Sequence, residues 1–258
     1  MKRIAIWLFS FLLLAGSLTA QKEITMEGIF TDPALYPESM YRMQAHFSDD
    51  YFTYADDDGN LLKIDAKGKV SDLVKLSDLN TAVKDAEMDK FGFFPAYTWV
   101  GTNTIRFNDG NALGEYDIST GKAKKINEWG AEVENVEICE NGYAAYTKGN
   151  NLYFSVDGVE KAITDDTKDG IVNGQTVHRV EFGIEKGIFW GPNCEKIAFY
   201  RKDESMVSNY PLVDINTRVA EVKNVRYPMA GMPSHHVTLG VYDIASGKTV
   251  FLKTGEPA

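Results

Sequence analysis

One short phrase recurs along this chain and limits what it can fold into. A strand runs into an Asp, a small turn with Gly follows, then a Lys, then another strand. It is read at Leu61 to Val70 around Asp65, Gly68 and Lys69. It returns at Leu113 to Lys122 around Asp117 and Gly121, and most clearly at Leu239 to Val250 around Asp243, Gly247 and Lys248. A looser copy spans Leu152 to Val159, with Asp157 and Gly158 at its turn. Asp and Ser/Thr side chains bond to backbone amides two residues on, and Gly supplies a positive φ. Each phrase therefore reads as a hairpin between short strands.

A second hairpin precedes every copy. These lie at Tyr51 to Asn60, Tyr97 to Phe107, Val136 to Tyr146 and Ile188 to Tyr200. Two hairpins make a four-stranded antiparallel sheet, and such sheets repeating every ~40–50 residues are the mark of propeller blades. The chain is expected to be all-β: a β-propeller of about four blades, in an incomplete ring. A β-sandwich also yields short strands with turns, but the recurring Tyr–Asp–Gly–Lys turn favours the propeller. Two stretches break the rhythm. Asp78 to Phe91 reads as a loop or one short helix. Met206 to His236 is a long insertion in the fourth blade, expected to pack its Tyr210, Tyr227, Met229 and Met232 against something.

Residues 1–20 stand apart from the repeats. Lys2 and Arg3 precede an apolar run from Ile4 to Leu14 and a small-residue exit at Thr19-Ala20. That is the pattern of a secretory signal peptide, cleaved near Ala20 to leave a domain over 21–258. The run is too short for a membrane span of ~20 residues. An exported, periplasmic or extracellular location follows. Losing Lys2 and Arg3 takes the formal net charge from −10 to −12, which argues against nucleic acid, since a phosphate backbone demands a basic face. Cys139 and Cys194 fall in turns of different repeats and are expected to remain unpaired.

A serine hydrolase needs a nucleophile elbow, G-x-S-x-G, and no such run occurs. His46, His178, His235 and His236 lack the spacing of a helical metal site. Gly247-Lys248-Thr249 ends like a phosphate loop, but Tyr242 stands where its first Gly is required. Asp56 to Asn60 lacks the ligand spacing and closing Glu of a calcium loop. Neither catalytic residue, metal nor cofactor is expected in these residues.

A further set of segments carries a resemblance. Val177 to Ile184, Phe189-Trp190-Gly191-Pro192, Ile197 to Ser205 and Tyr227 to Gly231 occur in an order that resembles the N-terminal propeller of dipeptidyl peptidase IV-like (prolyl oligopeptidase-type) serine exopeptidases. The resemblance runs from about Glu23 to Ala258. It implies a secreted or membrane-anchored peptidase with an eight-bladed propeller and a C-terminal α/β-hydrolase domain. By that comparison this chain stops about halfway round, with the catalytic domain absent. It implies peptide substrates with a free N-terminus, gated by the propeller, and a homodimer of the full-length protein.

In the family, adjacent glutamates hold the α-ammonium of the substrate. The matching positions here are Val180 and Glu181: Glu181 fits the second glutamate and Val180 replaces the first. Read alone, Glu181 is a surface charge at a strand end. The family also sends an arginine to the substrate carbonyl. Arg106 lies in the corresponding blade, with its side chain expected to face solvent. Asp203-Glu204-Ser205 reads first as a strand-capping turn and, by resemblance, as a wall of the substrate cavity. The alternative function is a stand-alone exported propeller-like binding protein without enzymatic role.

Overall fold

The structure is a computed structural model and describes residues 24–36, 40–46 and 51–255. The leader expected over 1–20 lies outside them. The chain divides into two compact units, residues 1–40 and 41–258. In the first, Thr25 caps a short helix, α1 (Met26–Thr31), by accepting from the Gly28 amide at 2.9 Å. Asp32 accepts from the Ala34 amide to start a 3-10 turn, Pro33–Leu35.

The second unit is built from consecutive four-stranded meanders. Blade one comprises β1 (Tyr41–Ala45), β2 (Tyr51–Ala55), β3 (Leu61–Asp65) and β4 (Val70–Val74), paired in chain order. Blade two comprises β5 (Tyr97–Trp99), β6 (Thr104–Asn108), β7 (Ala112–Asp117) and β8 (Lys122–Glu128). Blade three comprises β9 (Glu134–Ile138), β10 (Ala144–Lys148), β11 (Asn151–Val156) and β12 (Val159–Ala162). Blade four is β14 (Ile188–Trp190), β15 (Lys196–Asp203), β18 (His236–Asp243) and β19 (Lys248–Phe251), joined by an additional strand, β13 (Ile171–Asn173). The expected blades are present, but blade one opens ten residues earlier than expected, with β1, and blade four gains β13. The interruption after blade one is a helix, α2 (Leu76–Asp85), whose Leu79, Ala82 and Val83 are buried.

The turns form as their chemistry requires. Asp65 Oδ1 accepts from the Lys67 and Lys69 amides, Asp117 Oδ1 from the Thr120 amide, and Asp243 Oδ1 from the Ser246 amide. Gly121 (φ +68°) and Gly247 (φ +66°) close the last two turns from the left-handed region.

Blades two and three bury both faces against neighbours, whereas blades one and four share a core on one side, and this is what stacks the blades side by side. Strand side chains alternate, and β10 shows the consequence. Ala144 and Tyr146 join Leu113 and Trp129 in a core shared with blade two. Ala145, between them, joins Leu152, Phe154, Ile188, Ile197, Phe199 and Tyr242 in a core shared with blade four. A third core unites blades one and two with α2 through Leu61, Val74, Leu79, Phe94, Ile105 and Phe107.

Two expectations are corrected. The insertion does not pack its apolar residues away. It is a separate antiparallel hairpin, β16 (Asn209–Asp214) and β17 (Glu221–Arg226), that pairs with no other sheet. Tyr210, Tyr227, Met229 and Met232 are each about 40% exposed. The hairpin is held at its base, where the Arg226 guanidinium donates to the carbonyls of Glu204 (3.1 Å), Ser205 (3.4 Å) and Val207 (3.0 Å) and pairs with Asp169. Cys139 and Cys194 also depart from expectation. They do sit in turns of different blades, but those turns abut. Their Cα atoms are 5.9 Å apart and the two residues form a disulfide. Contact between neighbouring blades, invisible in a repeat pattern, makes the pair.

Candidate functional site

Blade four is five-stranded because one of its strand positions is split. β15 has eight residues, long enough for two partners on one edge. β14 pairs with Ile197 to Phe199, and β13 pairs with Arg201 to Asp203. Between them, opposite Tyr200, the chain leaves the sheet and returns. Tyr200 sets both ends of this excursion: its carbonyl accepts from the Gly174 amide at 2.9 Å and its amide donates to Gly187 O at 3.0 Å. The neck is narrow. A Cβ on Gly187 would stand 2.1 Å from the Gln175 carbonyl oxygen, so only Gly fits. Thr176 Oγ1 adds a 2.7 Å hydrogen bond to Ile184 O across the loop.

Glu181 lies at the outer part of this loop, in a 3-10 segment, His178–Gly183. It is thus not at a strand end. Glu181 is exposed, and its carboxylate has no ion pair or hydrogen bond among the described residues. Most nearby acids are engaged. Glu137 pairs with Lys186 at 2.9 Å, Asp166 with Arg201 at 3.2 Å, and Glu204 with Lys202 at 3.0 Å. Val180, 54% exposed, supplies no second acceptor beside it. The backbone is unusual here. His178 (φ +53°), Val180 (φ +65°), Phe182 (φ +59°) and Gly183 (φ +73°) all occupy the left-handed region. For a β-branched residue such as Val180 this is a real outlier, of the kind that collects at functional sites.

The loop is fastened on its far side too. Trp190 Nε1 donates to Glu137 O at 2.9 Å, and with the Lys186–Glu137 pair and the disulfide it pins β14 to β9. At the loop itself, the His178 ring lies 5.1 Å from that of His235, which precedes β18, and 6.2 Å from Phe182. His235 Nε2 is buried and has no hydrogen-bond partner among the described residues. Burial, then the neighbouring His178, hold the His235 imidazole below its ordinary pKa, with Lys202 and His236 adding to the effect and Glu204 opposing it.

The other expected site residues divide. Asp203 closes its own turn, its Oδ1 accepting from the Ser205 amide (2.9 Å) and hydroxyl (2.6 Å), which hold its carboxyl below the usual range. Its strand-capping role is the observed one. Glu204 belongs to the surroundings of His235 and, through His178, to the Glu181 loop. Arg106 does not face solvent: its guanidinium meets Glu115 Oε1 at 2.6 Å and donates to Glu140 O at 2.5 Å. It lines a separate cavity of about 670 Å³ between blades two and three, with Tyr97, Trp99, Phe107 and Cys139. The two histidines and Gly187 went unrecognised as loop fixtures, because no local pattern ties residue 235 or 187 to residue 178.

Among the described residues no three His, Cys, Asp or Glu side chains converge as a metal site. What the loop offers among the described residues is two exposed carboxylates, Glu181 in its 3-10 segment and Glu185 nearer the neck, suited to a cationic group. Fold and loop together define a stack of propeller-type blades with an exposed acidic loop on the fourth. The family model for the dipeptidyl peptidase IV (DPP IV) N-terminal region matches residues 101–258, and the chain belongs to that family. A solved structure from Bacteroides ovatus, described as a candidate dipeptidyl aminopeptidase IV, is 37% identical with a TM-score of 0.74. The match covers 86% of this chain and 31% of that one. Porphyromonas gingivalis dipeptidyl peptidase 4 shares the fold at 19% identity and a TM-score of 0.61, over 93% of this chain and 36% of its own. Dipeptidyl aminopeptidase B of Saccharomyces cerevisiae is 28% identical over 159 residues, 57% of this chain and 19% of the yeast protein. The chain thus spans roughly an eighth to just over a third of the length of the relatives it matches.

Proposed function

We propose that this chain is the substrate-binding propeller portion of an exported dipeptidyl-peptidase IV-like serine exopeptidase. In this reading the propeller admits short peptides and Glu181 holds their α-ammonium, while cleavage belongs to an α/β-hydrolase domain in a longer product. A leader peptide cleaved near Ala20 directs export, and the full-length protein forms a homodimer. The observation that carries the reading is the free, exposed Glu181 carboxylate on a loop whose two ends are fixed to Tyr200. A peptide N-terminus has a pKa near 8 and is largely cationic at neutral pH. A carboxylate both attracts it and accepts its N–H bonds. With Val180 in place of a second acid, the grip rests on one carboxylate and is weaker and less directional than a pair would give.

Isothermal titration with a free tripeptide and its N-acetyl form tests this. The free peptide is expected to bind, and Glu181→Gln to weaken it by roughly tenfold or more, since a hydrogen bond to a charged group contributes about 1.5–3 kcal/mol. Equal binding of the acetylated peptide would remove Glu181 from the site.

A further inference from the structure

Resting on the reading of Glu181 as the amine-binding residue, we propose that the His178–His235 contact is a proton-sensitive latch holding the Glu181 loop in its binding geometry. The latch joins two elements far apart in sequence. His178 lies three residues before Glu181, and His235 belongs to the segment that returns from the insertion into β18. Their rings, 5.1 Å apart, bring the loop tip and that segment into contact. His178 also braces Phe182 on the other side of Glu181. A stretch with three non-glycine residues at positive φ resists its own backbone preference. It keeps that shape only while surrounding contacts hold it.

The contact tolerates protons poorly. His235 Nε2 is sealed from water without an acceptor for an added proton. The groups facing the ring are His178 on the loop, Lys202 on β15, Glu204 just after it, and the adjacent His236. Glu204 is the one acid among them, and its carboxylate is already paired with Lys202 at 3.0 Å. A charged His235 thus meets cationic neighbours with little compensation, and two imidazolium rings cannot share this spacing cheaply. Because the closed form depresses the His235 pKa, latch stability is full above the ordinary histidine range near 6.5 and is lost as pH falls below it. Acidification is thus expected to loosen the loop that carries Glu181.

Hydrogen exchange of residues 176–186, corrected for intrinsic rates, is measured from pH 7.5 to 5.5 on the secreted protein and on His235→Asn and His178→Asn. Free-tripeptide affinity is measured in parallel. The wild type is expected to lose loop protection by about fivefold or more, the low end of ordinary coupling between sites. Affinity should fall with it, while both variants show a loop equally loose at either pH. Loop protection that is independent of pH, or a pH response retained in His235→Asn, overturns the latch. A latch that opens on acidification in a protein that never binds the free amine upholds the histidine contact and fails the peptide-binding reading instead. Binding without a pH-linked change in the loop does the reverse.

Discussion

Breaking the Cys139–Cys194 disulfide gives the most calculable perturbation of this fold. The bridge closes a loop of 55 residues between the paired turns of blades three and four. A cross-link of that span lowers the chain entropy of the unfolded state by about 14 cal/mol/K, or about 4 kcal/mol at 25 °C. Other ties across the same seam, Trp190 Nε1 to Glu137 O and the Lys186–Glu137 pair, would remain, so the variant is expected to fold. For a unit of this size, with a urea slope of roughly 2–3 kcal/mol/M, Cys139→Ala/Cys194→Ala should lower the midpoint by about 1.5 M. The assay is a urea titration of the secreted protein, oxidised and reduced, beside the double variant. Reduction should move the wild type most of the way to the variant and leave the variant unmoved. Coincident midpoints for oxidised wild type and variant would refute the reasoning, as would two free thiols titrated in the denatured, unreduced protein.

Other outcomes follow from the same geometry. Val180 sits at φ +65° and is half exposed, so Val180→Asn relieves about 1–2 kcal/mol of left-handed strain at little cost in burial; slower hydrogen exchange in the loop is the expected sign. Gly187→Ala forces a Cβ against Gln175 O, so the neck must open, at a cost of roughly 1–3 kcal/mol and with loss of amine binding while Glu181 itself is intact. Arg226→Ala frees the insertion hairpin from the carbonyls of Glu204, Ser205 and Val207, and limited proteolysis should then cut first between residues 208 and 234. Stability should decline at both pH extremes. Lys196 and Ser246 hold the Asp243 carboxyl low, and Ser205 does so for Asp203, contributions present above the carboxylate range near 4 and lost below it. Burial raises the Tyr97 and Tyr146 hydroxyls, contributions present below the tyrosine range near 10 and lost above it. Urea midpoints measured across pH should trace that plateau.

How legible these features were depends on how local their causes are. The Asp65, Asp117 and Asp243 turns were readable because each Asp bonds to amides within four residues of itself. The blades followed from the spacing of those turns. The disulfide was not readable, because it depends on how far apart two blades stand. The split strand opposite Tyr200 was hidden for a related reason: β13 and β14 have three residues each, too short to signal that they share one edge of β15. Glu181 stood out by resemblance, whereas its fixtures, Gly187 and His235, come from chain segments that only the folded blade brings together. The insertion misled because its aromatic and methionine content resembles that of a core, yet a lone two-stranded hairpin has no second layer to bury it.

The central claim is that these residues are the recognition half of a larger peptidase. The most direct test is the intact mass of the secreted product, with fluorophosphonate labelling of its active serine. The account predicts a protein lacking residues 1–20, extending several hundred residues beyond Ala258 in proportion to the Bacteroides ovatus relative, and labelled at a serine within G-x-S-x-G. A secreted product that ends at Ala258 and takes no label would contradict it.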